Sequence, residues 1–297
     1  MHHFQGMILR RFIAGLLAGV AFVGGARAQS LPGPQGPAAA TDGGEFWLIP
    51  SSLPGVLMRA TVYRPQRPGA FPLALINHGT DQSEIQRFNY ATPTYPISAH
   101  WFLKRGYAVV VPQRPGHGGT GGPYLESQGS CEDADYLGAG LGAAASIQAA
   151  IDYMTREPFV RRDDIVAIGQ SAGGWGALAL ASRNPPGLKA AINVAGGRGG
   201  HSDGKPDANC APDRLVAAAG RFGSTARVPT LWLYSRNDSY FAPALAQRMA
   251  LAFGAAGGRA EFRLLPALPG DGHDLLESRD GAALWEPAVA EFLRKVK

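Results

Sequence analysis

A Gly-x-Ser-x-Gly pentapeptide at residues 169–173 places Ser171 where a serine hydroxyl can act as a nucleophile. This motif requires a strand before the serine and a helix after it, and its glycines leave room for a tight, strained turn. Residues 165–168 read as an apolar strand and residues 172–182 as an alanine-rich helix. The context predicts that Ser171 is a catalytic nucleophile. The alternative is a serine that only caps the helix.

A second match to the motif lies at residues 200–204 and is centred on Ser202. It follows a glycine-rich stretch and precedes Lys205-Pro206, so neither a strand nor a helix flanks it. We therefore predict that Ser202 is a loop residue.

A serine hydroxyl becomes a good nucleophile when a neighbouring base takes its proton, and histidine suits this role at neutral pH. Two histidines follow Ser171 in the sequence, His201 and His273. His273 comes after a predicted strand at residues 261–265, and open α/β sheets build their sites beyond such strand ends. His273 is therefore predicted to be the general base, whereas His201 is expected only to line the site.

Asp238 is the candidate for the acid that orients the imidazole and stabilises the imidazolium. It follows a predicted strand at residues 231–234. Asp271 and Asp274 compete for this role, but they are neighbours of His273 in sequence and are less able to reach the far imidazole nitrogen. An aspartate in this position can also serve only as a turn or cap residue.

The tetrahedral intermediate of acyl transfer needs N–H donors for its oxyanion. The backbone N–H of Ala172 is the first predicted donor because it follows the nucleophile. The second should come from the loop after the strand at residues 73–77. Thr80 is our choice for it, with Gly79 and Asp81 as alternatives, and His78 is expected to orient the loop.

Predicted strands and helices alternate from residue 45 to residue 297, which indicates one α/β domain. The inner strands are continuous apolar runs, as expected for a parallel sheet covered on both faces. The first two strands, at residues 46–49 and 58–63, are close in sequence and predict an antiparallel edge.

With these motifs in place, the chain resembles the α/β-hydrolase superfamily. The resemblance is carried by His78-Gly79-Thr80, the pentapeptide at residues 169–173, Asp238 and His273. It implies a mostly parallel eight-stranded sheet with helices on both faces. Residues 195–228 leave space for a small cap, not for a separate lid domain.

Within this superfamily the chain is similar to secreted dienelactone-hydrolase-like serine esterases, through residues 114–119 and 237–241. Enzymes that hydrolyse dienelactones carry a cysteine nucleophile where this chain has Ser171, so the resemblance implies carboxylic-ester hydrolysis through an acyl-enzyme. It also implies a substrate pocket with Tyr240, Phe241, His117 and Arg114 as its walls, and the alternative for each of them is a packing or loop role.

The N-terminus has the layout of a secretory signal peptide over residues 1–28. Arg10 and Arg11 precede an apolar run at residues 12–23, and Ala26-Arg27-Ala28 fits a cleavage site. The apolar run is shorter than the roughly 20 residues of a membrane-spanning helix. We therefore expect an exported protein, periplasmic or secreted, with no stable membrane insertion, and a linker at residues 29–44.

Removal of residues 1–28 lowers the formal net charge from +5 to +2, because that segment contains three arginines and no acidic residue. No cluster of basic residues remains that would indicate nucleic-acid binding. The two cysteines, Cys131 and Cys210, are expected to pair as a disulfide after export, and two buried free thiols are the alternative.

The predicted partner is a small-molecule ester, with no metal or organic cofactor, and the patterns assign no oligomeric state. Two other functions stay open. One is a peptidase or amidase on the same fold, and the other is a binding protein that has lost the chemistry.

Overall fold

A computed structural model of the chain describes residues 1, 31–39, 41 and 43–296. The predicted signal peptide at residues 1–28 lies, apart from Met1, outside the described residues. The described residues between 31 and 296 form one compact unit. In the described part of the chain, no helix combines the length and the apolar character that crossing a bilayer requires.

A nine-stranded, mostly parallel sheet crosses the described residues, in the order β1-β2-β3-β5-β4-β6-β7-β8-β9. The six strands from β5 to β9 in this order are parallel, whereas β1, β2 and β3 pair antiparallel at one edge. This arrangement confirms the predicted fold class and the antiparallel edge. The strands are β1 (Gly33–Pro37), β2 (Gly44–Pro50), β3 (Leu57–Tyr63), β4 (Phe71–Asn77), β5 (Ala108–Pro112), β6 (Val160–Gln170), β7 (Leu188–Val194), β8 (Thr230–Ser235) and β9 (Ala260–Leu265).

Strand β1 is an addition to the eight strands that the sequence predicted. Gly33–Pro37 lies inside the segment that was expected to be a linker, and it pairs antiparallel with β2. Its glycines and prolines do not form a recognisable strand pattern. Prolines are nevertheless tolerated in an edge strand, because one side of such a strand needs no hydrogen-bonding partner. The linker prediction is therefore wrong for these residues.

Six of the seven α-helices of the described residues cover the two faces of the sheet, and the short α1 belongs to neither core. Helices α3 to α6 pack on one face with one hydrophobic core, and α2 and α7 pack on the other with a second core. The helices are α1 (Glu84–Phe88), α2 (Pro96–Lys104), α3 (Tyr136–Met154), α4 (Ala172–Arg183), α5 (Pro212–Thr225), α6 (Pro243–Ala255) and α7 (Arg279–Lys295).

The parallel strands bring distant parts of the sequence to one edge of the sheet. Strands β5, β7 and β8 are apolar and almost wholly buried, because helices cover both of their faces. Their carboxyl ends, with those of β4, β6 and β9, point the same way. The loops that carry His78, Ser171, Asp238 and His273 all follow these ends, so the fold gathers them at one edge.

The connection between β7 and β8 is the region where a cap was expected. It contains a loop, residues 195–211, followed by α5, which packs against α6. Within the described chain this connection forms no lid domain, which leaves the carboxyl edge of the sheet accessible.

A disulfide joins Cys131, in the connection from β5 to α3, to Cys210, in the loop before α5. The two cysteines are 79 residues apart in sequence. A cross-link that closes a loop of this length stabilises mainly by restricting the unfolded chain.

Removal of this cross-link should lower stability. We expect the double variant Cys131→Ser/Cys210→Ser to lose about 2 to 4 kcal/mol of unfolding free energy, measured by urea denaturation. The wild type with a reductant present is the control and should show a similar loss. Equal midpoints for oxidised protein and double variant would show that the cross-link adds no stability.

Candidate active site

Ser171 occupies a strained turn between β6 and α4. Its backbone has φ 55° and ψ −125°, a conformation that non-glycine residues rarely adopt. The turn is held by hydrogen bonds from Ser171 N to Val194 O, at 3.1 Å, and from Gly197 N to Ser171 O, at 3.2 Å. The side chain makes no capping hydrogen bond to α4, so helix capping does not account for this serine.

The two glycines of the pentapeptide are required by close backbone packing. A Cβ atom on Gly173 would lie 2.1 Å from the carbonyl oxygen of Asn77, and one on Gly169 would lie 2.3 Å from the carbonyl carbon of Gly173. Neither neighbour is a flexible side chain, so neither position can accept a larger residue without moving the backbone. The glycines thereby let the turn sit directly against the end of β4.

His273 and Asp238 contact each other through their side chains. The Nδ1 atom of His273 lies 3.2 Å from Oδ1 of Asp238, and both residues are buried. An ionised carboxylate only accepts hydrogen bonds, so Nδ1 carries the ring proton and Nε2 keeps a free lone pair. The backbone N–H groups of Tyr240 and Phe241 donate to the same carboxylate oxygen, at 2.9 and 3.0 Å, and hold it in place.

Ser171 and His273 line the same cavity, which has a volume of about 480 Å³. The side chain of Gln170 lies next to the serine in sequence and donates from Nε2 to the carbonyl oxygen of His273, at 2.7 Å. This bond ties the loop of the imidazole to the turn of the serine. Ser171 and His273 thus share one cavity, and Asp238 contacts the imidazole of His273.

The loop after β4 passes directly beside Ser171. A Cβ atom built on Gly79 would lie 3.3 Å from the Cβ of Ser171. Thr80 and Ala172, the two predicted oxyanion donors, both line the cleft that contains Ser171.

Two buried histidines hold the Thr80 loop in place. His117 Nδ1 lies 3.1 Å from the carbonyl oxygen of Arg114, so this nitrogen carries a proton and Nε2 accepts from the Thr80 hydroxyl at 2.7 Å. Burial lowers the pKa of His117 to about 4, although the Glu126 carboxylate opposes this shift. The lowered pKa keeps the ring neutral. His78 contacts Gly79 O through Nδ1, at 2.5 Å, and accepts from Arg114 N through Nε2. It orients the loop, as the sequence predicted.

A buried ion cluster lies behind this loop. The guanidinium of Arg114 donates to both carboxylate oxygens of Glu126 and, at 2.8 Å, to the carbonyl oxygen of His78. Arg198 also pairs with Glu126, at 3.3 Å, and donates to the hydroxyl of Tyr124. Burial raises the pKa of Glu126, but the two guanidinium groups outweigh this effect and the net shift is downward.

This cluster corrects the prediction that Arg114 and His117 are pocket walls. Both side chains are fully buried, and neither lines the cleft, because Arg114 needs Glu126 as its counter-charge and His117 binds Thr80. They support the Thr80 loop from behind. Tyr240 and Phe241 do line the cleft.

Replacement of Glu126 by glutamine should destabilise the protein strongly. It would leave two buried guanidinium groups without a counter-charge, and breaking such a pair costs about 3 to 5 kcal/mol. Urea denaturation measures the loss. The control is Asp213→Asn, which breaks an exposed pair with Arg248 and should cost less than about 1 kcal/mol. Similar losses in the two variants would contradict this account.

The contribution of Glu126 should also depend on pH. Because its pKa is lower in the folded state than the ordinary 4.5, its stabilisation is complete well above pH 4.5 and disappears as the pH falls through the lowered value. We expect the difference in unfolding free energy between wild type and Glu126→Gln to shrink below about pH 4.

The cleft in front of Ser171 has a volume of about 510 Å³ and is open to solvent. His201 lines it, as predicted, whereas Ser202 starts a short 3-10 turn away from it. Among the described residues, no group of three or more His, Cys, Asp or Glu side chains could hold a metal ion. The other residues that line the cleft include Asp81, Gln82, Arg87, Tyr124, Gln128 and Arg198.

No pattern in the sequence pointed to Glu126, Arg198 or Tyr124. All three lie in or beside loops, where no periodic pattern marks a buried position. The one available signal was the low content of charged residues in this chain. In such a chain, an arginine beside a predicted active site is expected to have an acidic partner.

A large part of the chain matches a known protein family. Residues 54–243 match the model of the X-Pro dipeptidyl-peptidase (S15) family. The matched range contains Ser171 and Asp238 and ends before His273. A comparison with curated protein sequences finds no significant match.

Several solved structures share this fold at 15 to 19% sequence identity. Est1E from Butyrivibrio proteoclasticus, solved with ferulic acid bound, has a TM-score of 0.57 and 19% identity, covering 84% of this chain and 98% of Est1E. A Klebsiella pneumoniae protein assigned as a dienelactone hydrolase has a TM-score of 0.56 and 16% identity, covering 83% of this chain and 97% of that one. Acylaminoacyl peptidase from Pyrococcus horikoshii has a TM-score of 0.63 and 15% identity; the match covers 86% of this chain and 42% of the peptidase. These similarities confirm the α/β-hydrolase fold.

Proposed function

The chain belongs to the X-Pro dipeptidyl-peptidase (S15) family, and from this premise we propose that it is a serine hydrolase that cleaves carboxylic esters through an acyl-enzyme. The observation that carries the proposal is the strained Ser171 on the same cavity as an imidazole whose Nδ1 faces the Asp238 carboxylate. A protein that only binds ligands would not need this combination of backbone strain and proton placement.

In the first half of the reaction, Ser171 Oγ attacks the ester carbonyl while His273 Nε2 takes the hydroxyl proton. The backbone N–H groups of Thr80 and Ala172 stabilise the negative charge on the carbonyl oxygen. When the intermediate collapses, His273 gives its proton to the leaving alcohol, and the acyl group stays on Ser171.

In the second half, a water molecule takes the place of the alcohol. His273 accepts a proton from this water, which attacks the acyl carbonyl and forms a second tetrahedral intermediate on the same donors. Its collapse returns the proton to Ser171 Oγ and releases the carboxylic acid. Asp238 stabilises the imidazolium in both halves and does not itself take the proton.

The charges of the cleft favour an ester over the N-terminus of a peptide. An enzyme that removes dipeptides from an N-terminus must bind a protonated amino group, which calls for a free carboxylate. Asp81 is the one carboxylate among the described residues that line the cleft, and it is exposed, whereas Arg87 and Arg198 bring positive charge. Glu126 is already engaged by two guanidinium groups.

X-Pro dipeptide release is the second candidate function, and membership of the family is the observation that favours it. Amide cleavage would use the same three side chains, but the leaving nitrogen must be protonated as the bond breaks. Export is part of the proposal as well, and the disulfide between Cys131 and Cys210 supports it, because such bonds persist in oxidising compartments.

The test compares two substrates on the same enzyme preparation, a short p-nitrophenyl ester and an Ala-Pro p-nitroanilide. A fluorophosphonate titrates the reactive serine and normalises both rates. We expect stoichiometric labelling and a kcat/KM that is larger for the ester after correction for the uncatalysed rates. A larger corrected value for the dipeptide anilide would establish the second candidate, and a protein that neither reacts with the probe nor cleaves either substrate would overturn both.

A further inference from the structure

Three aromatic rings form a continuous stack that ends on the imidazole of His273. The rings of His201 and Tyr240 are stacked, with centroids 3.7 Å apart and planes inclined by 7°. The other face of Tyr240 stacks on His273, with centroids 4.1 Å apart and planes inclined by 22°. Tyr240 is thus held between the two histidines, and the position of its ring limits where the imidazole of His273 can lie.

A chain of hydrogen bonds joins the same two histidines by a second route. His201 Nε2 lies 2.7 Å from the hydroxyl oxygen of Ser239, and that hydroxyl binds Oδ2 of Asp271. The other carboxylate oxygen of Asp271 accepts from the backbone N–H of His273, at 2.9 Å, and from that of Ser239, at 3.1 Å.

The chemistry of the groups sets the direction of each bond in this chain. The pKa of Asp271 is lowered by its bonds from Ser239 and His273 against the opposing effect of burial, so the carboxylate is ionised and can only accept. The Ser239 hydroxyl therefore donates to it, and the oxygen of this hydroxyl is left to accept from His201 Nε2–H. His201 thus acts as a donor at the far end of the chain.

From these two connections we propose that His201 is a positioning residue for the general base His273. It holds Tyr240 against the imidazole through its ring, and it holds the loop of His273 through Ser239 and Asp271. His201 lies on the loop between β7 and α5 that forms a wall of the substrate cleft. The same contacts therefore hold both the wall of the cleft and the general base. In the proposed mechanism, His201 touches neither the serine hydroxyl nor the reacting carbonyl.

The inference rests on the proposed function, since a base has to act before its position can matter. It predicts that loss of His201 lowers kcat more than it raises KM. A small displacement of a catalytic group can cost up to about 100-fold in rate, so we expect a decrease in kcat on the order of 10- to 100-fold for His201→Ala, with KM changed less than about twofold.

Two further variants separate the two connections. His201→Phe keeps a ring for Tyr240 but has no donor, and His201→Gln keeps a donor near Ser239 but has no ring. Each should restore part of the kcat that the alanine variant loses. Neither substitution leaves a large cavity, so they decide the question even if His201→Ala does not fold. Asp203→Asn, an exposed change on the same loop, is the matched control and should leave kcat unchanged.

The measurements are kcat and KM for p-nitrophenyl acetate, with active sites counted by a fluorophosphonate and folding checked by circular dichroism. Ser239→Ala should lower kcat as much as His201→Phe does. The double variant His201→Phe/Ser239→Ala should lose no more kcat than either single variant, because both substitutions break the same chain of hydrogen bonds. Wild-type kcat in the alanine variant, or a rise in KM alone, would overturn the inference. An inactive wild type would instead reject the proposed function itself.

Discussion

Replacement of Ser171 by alanine should reduce kcat for p-nitrophenyl acetate on the order of 10⁶-fold and abolish fluorophosphonate labelling. The loss is large because Ser171 Oγ forms the covalent bond to the acyl group, and the oxyanion donors alone leave only a small residual rate. The alanine variant should keep the positive φ at residue 171 and the backbone strain that goes with it. Folding and the free energy of unfolding should therefore stay close to those of the wild type.

The second pentapeptide supplies the control for this prediction. Ser202 has the same flanking glycines in sequence, but it starts a short 3-10 turn and lines neither the cleft nor the cavity that contains Ser171. Ser202→Ala should therefore keep the full kcat and the full labelling by the probe. Activity that survives in Ser171→Ala, or that disappears in Ser202→Ala, would reject Ser171 as the nucleophile.

The second large effect should come from Asp238→Asn, for which we expect a loss of about 10⁴-fold in kcat at neutral pH. An asparagine side chain is neutral, so it does not offset the positive charge of the imidazolium that forms when Nε2 takes the serine proton, and it holds the ring proton on Nδ1 less firmly than a carboxylate does. The variant keeps the size of the side chain, and the contacts of Tyr240 N and Phe241 N can be retained by the amide oxygen.

Asp271 and Asp274 provide matched controls, because both lie next to His273 in sequence. Asp271 contacts the backbone N–H of His273 and not the ring, so Asp271→Asn should cost far less than Asp238→Asn. Asp274 is exposed, and Asp274→Asn should leave kcat within about twofold of the wild type. Measurement of kcat and KM at pH 7 to 8 checks all three variants. A larger loss for Asp271→Asn than for Asp238→Asn would reassign the acid.

The matched family is named for a peptidase, whereas the solved structures with this fold include a protein with ferulic acid bound and a protein assigned as a dienelactone hydrolase. The residues that line the cleft are where a preference for one substrate class over the other would arise. The family match includes Ser171 and Asp238, the proposed nucleophile and acid, which would serve both ester and amide hydrolysis. Substrate choice depends instead on the walls of the cleft, where Arg87 and Arg198 lie. These walls come from loops, which vary more easily than the strands that position the catalytic groups.

Local patterns in the sequence were enough to predict the alternating strands and helices, the turn at Ser171 and the strand ends that carry Asp238 and His273. This is because apolar periodicity and glycine spacing act over a few residues, and parallel strands must end at a common edge. The sequence also narrowed the base to one of two histidines through chain order alone.

Only the tertiary structure decided which side chains meet in the loops. Arg114 was predicted as a pocket wall, but Glu126 binds it behind the Thr80 loop, and nothing near either residue in the sequence indicates this pairing. Strand β1 and the stack of His201 on Tyr240 were unforeseen for the same reason. Such contacts join segments without a regular repeat, and their formation depends on burial and charge balance in three dimensions, which a one-dimensional pattern does not record.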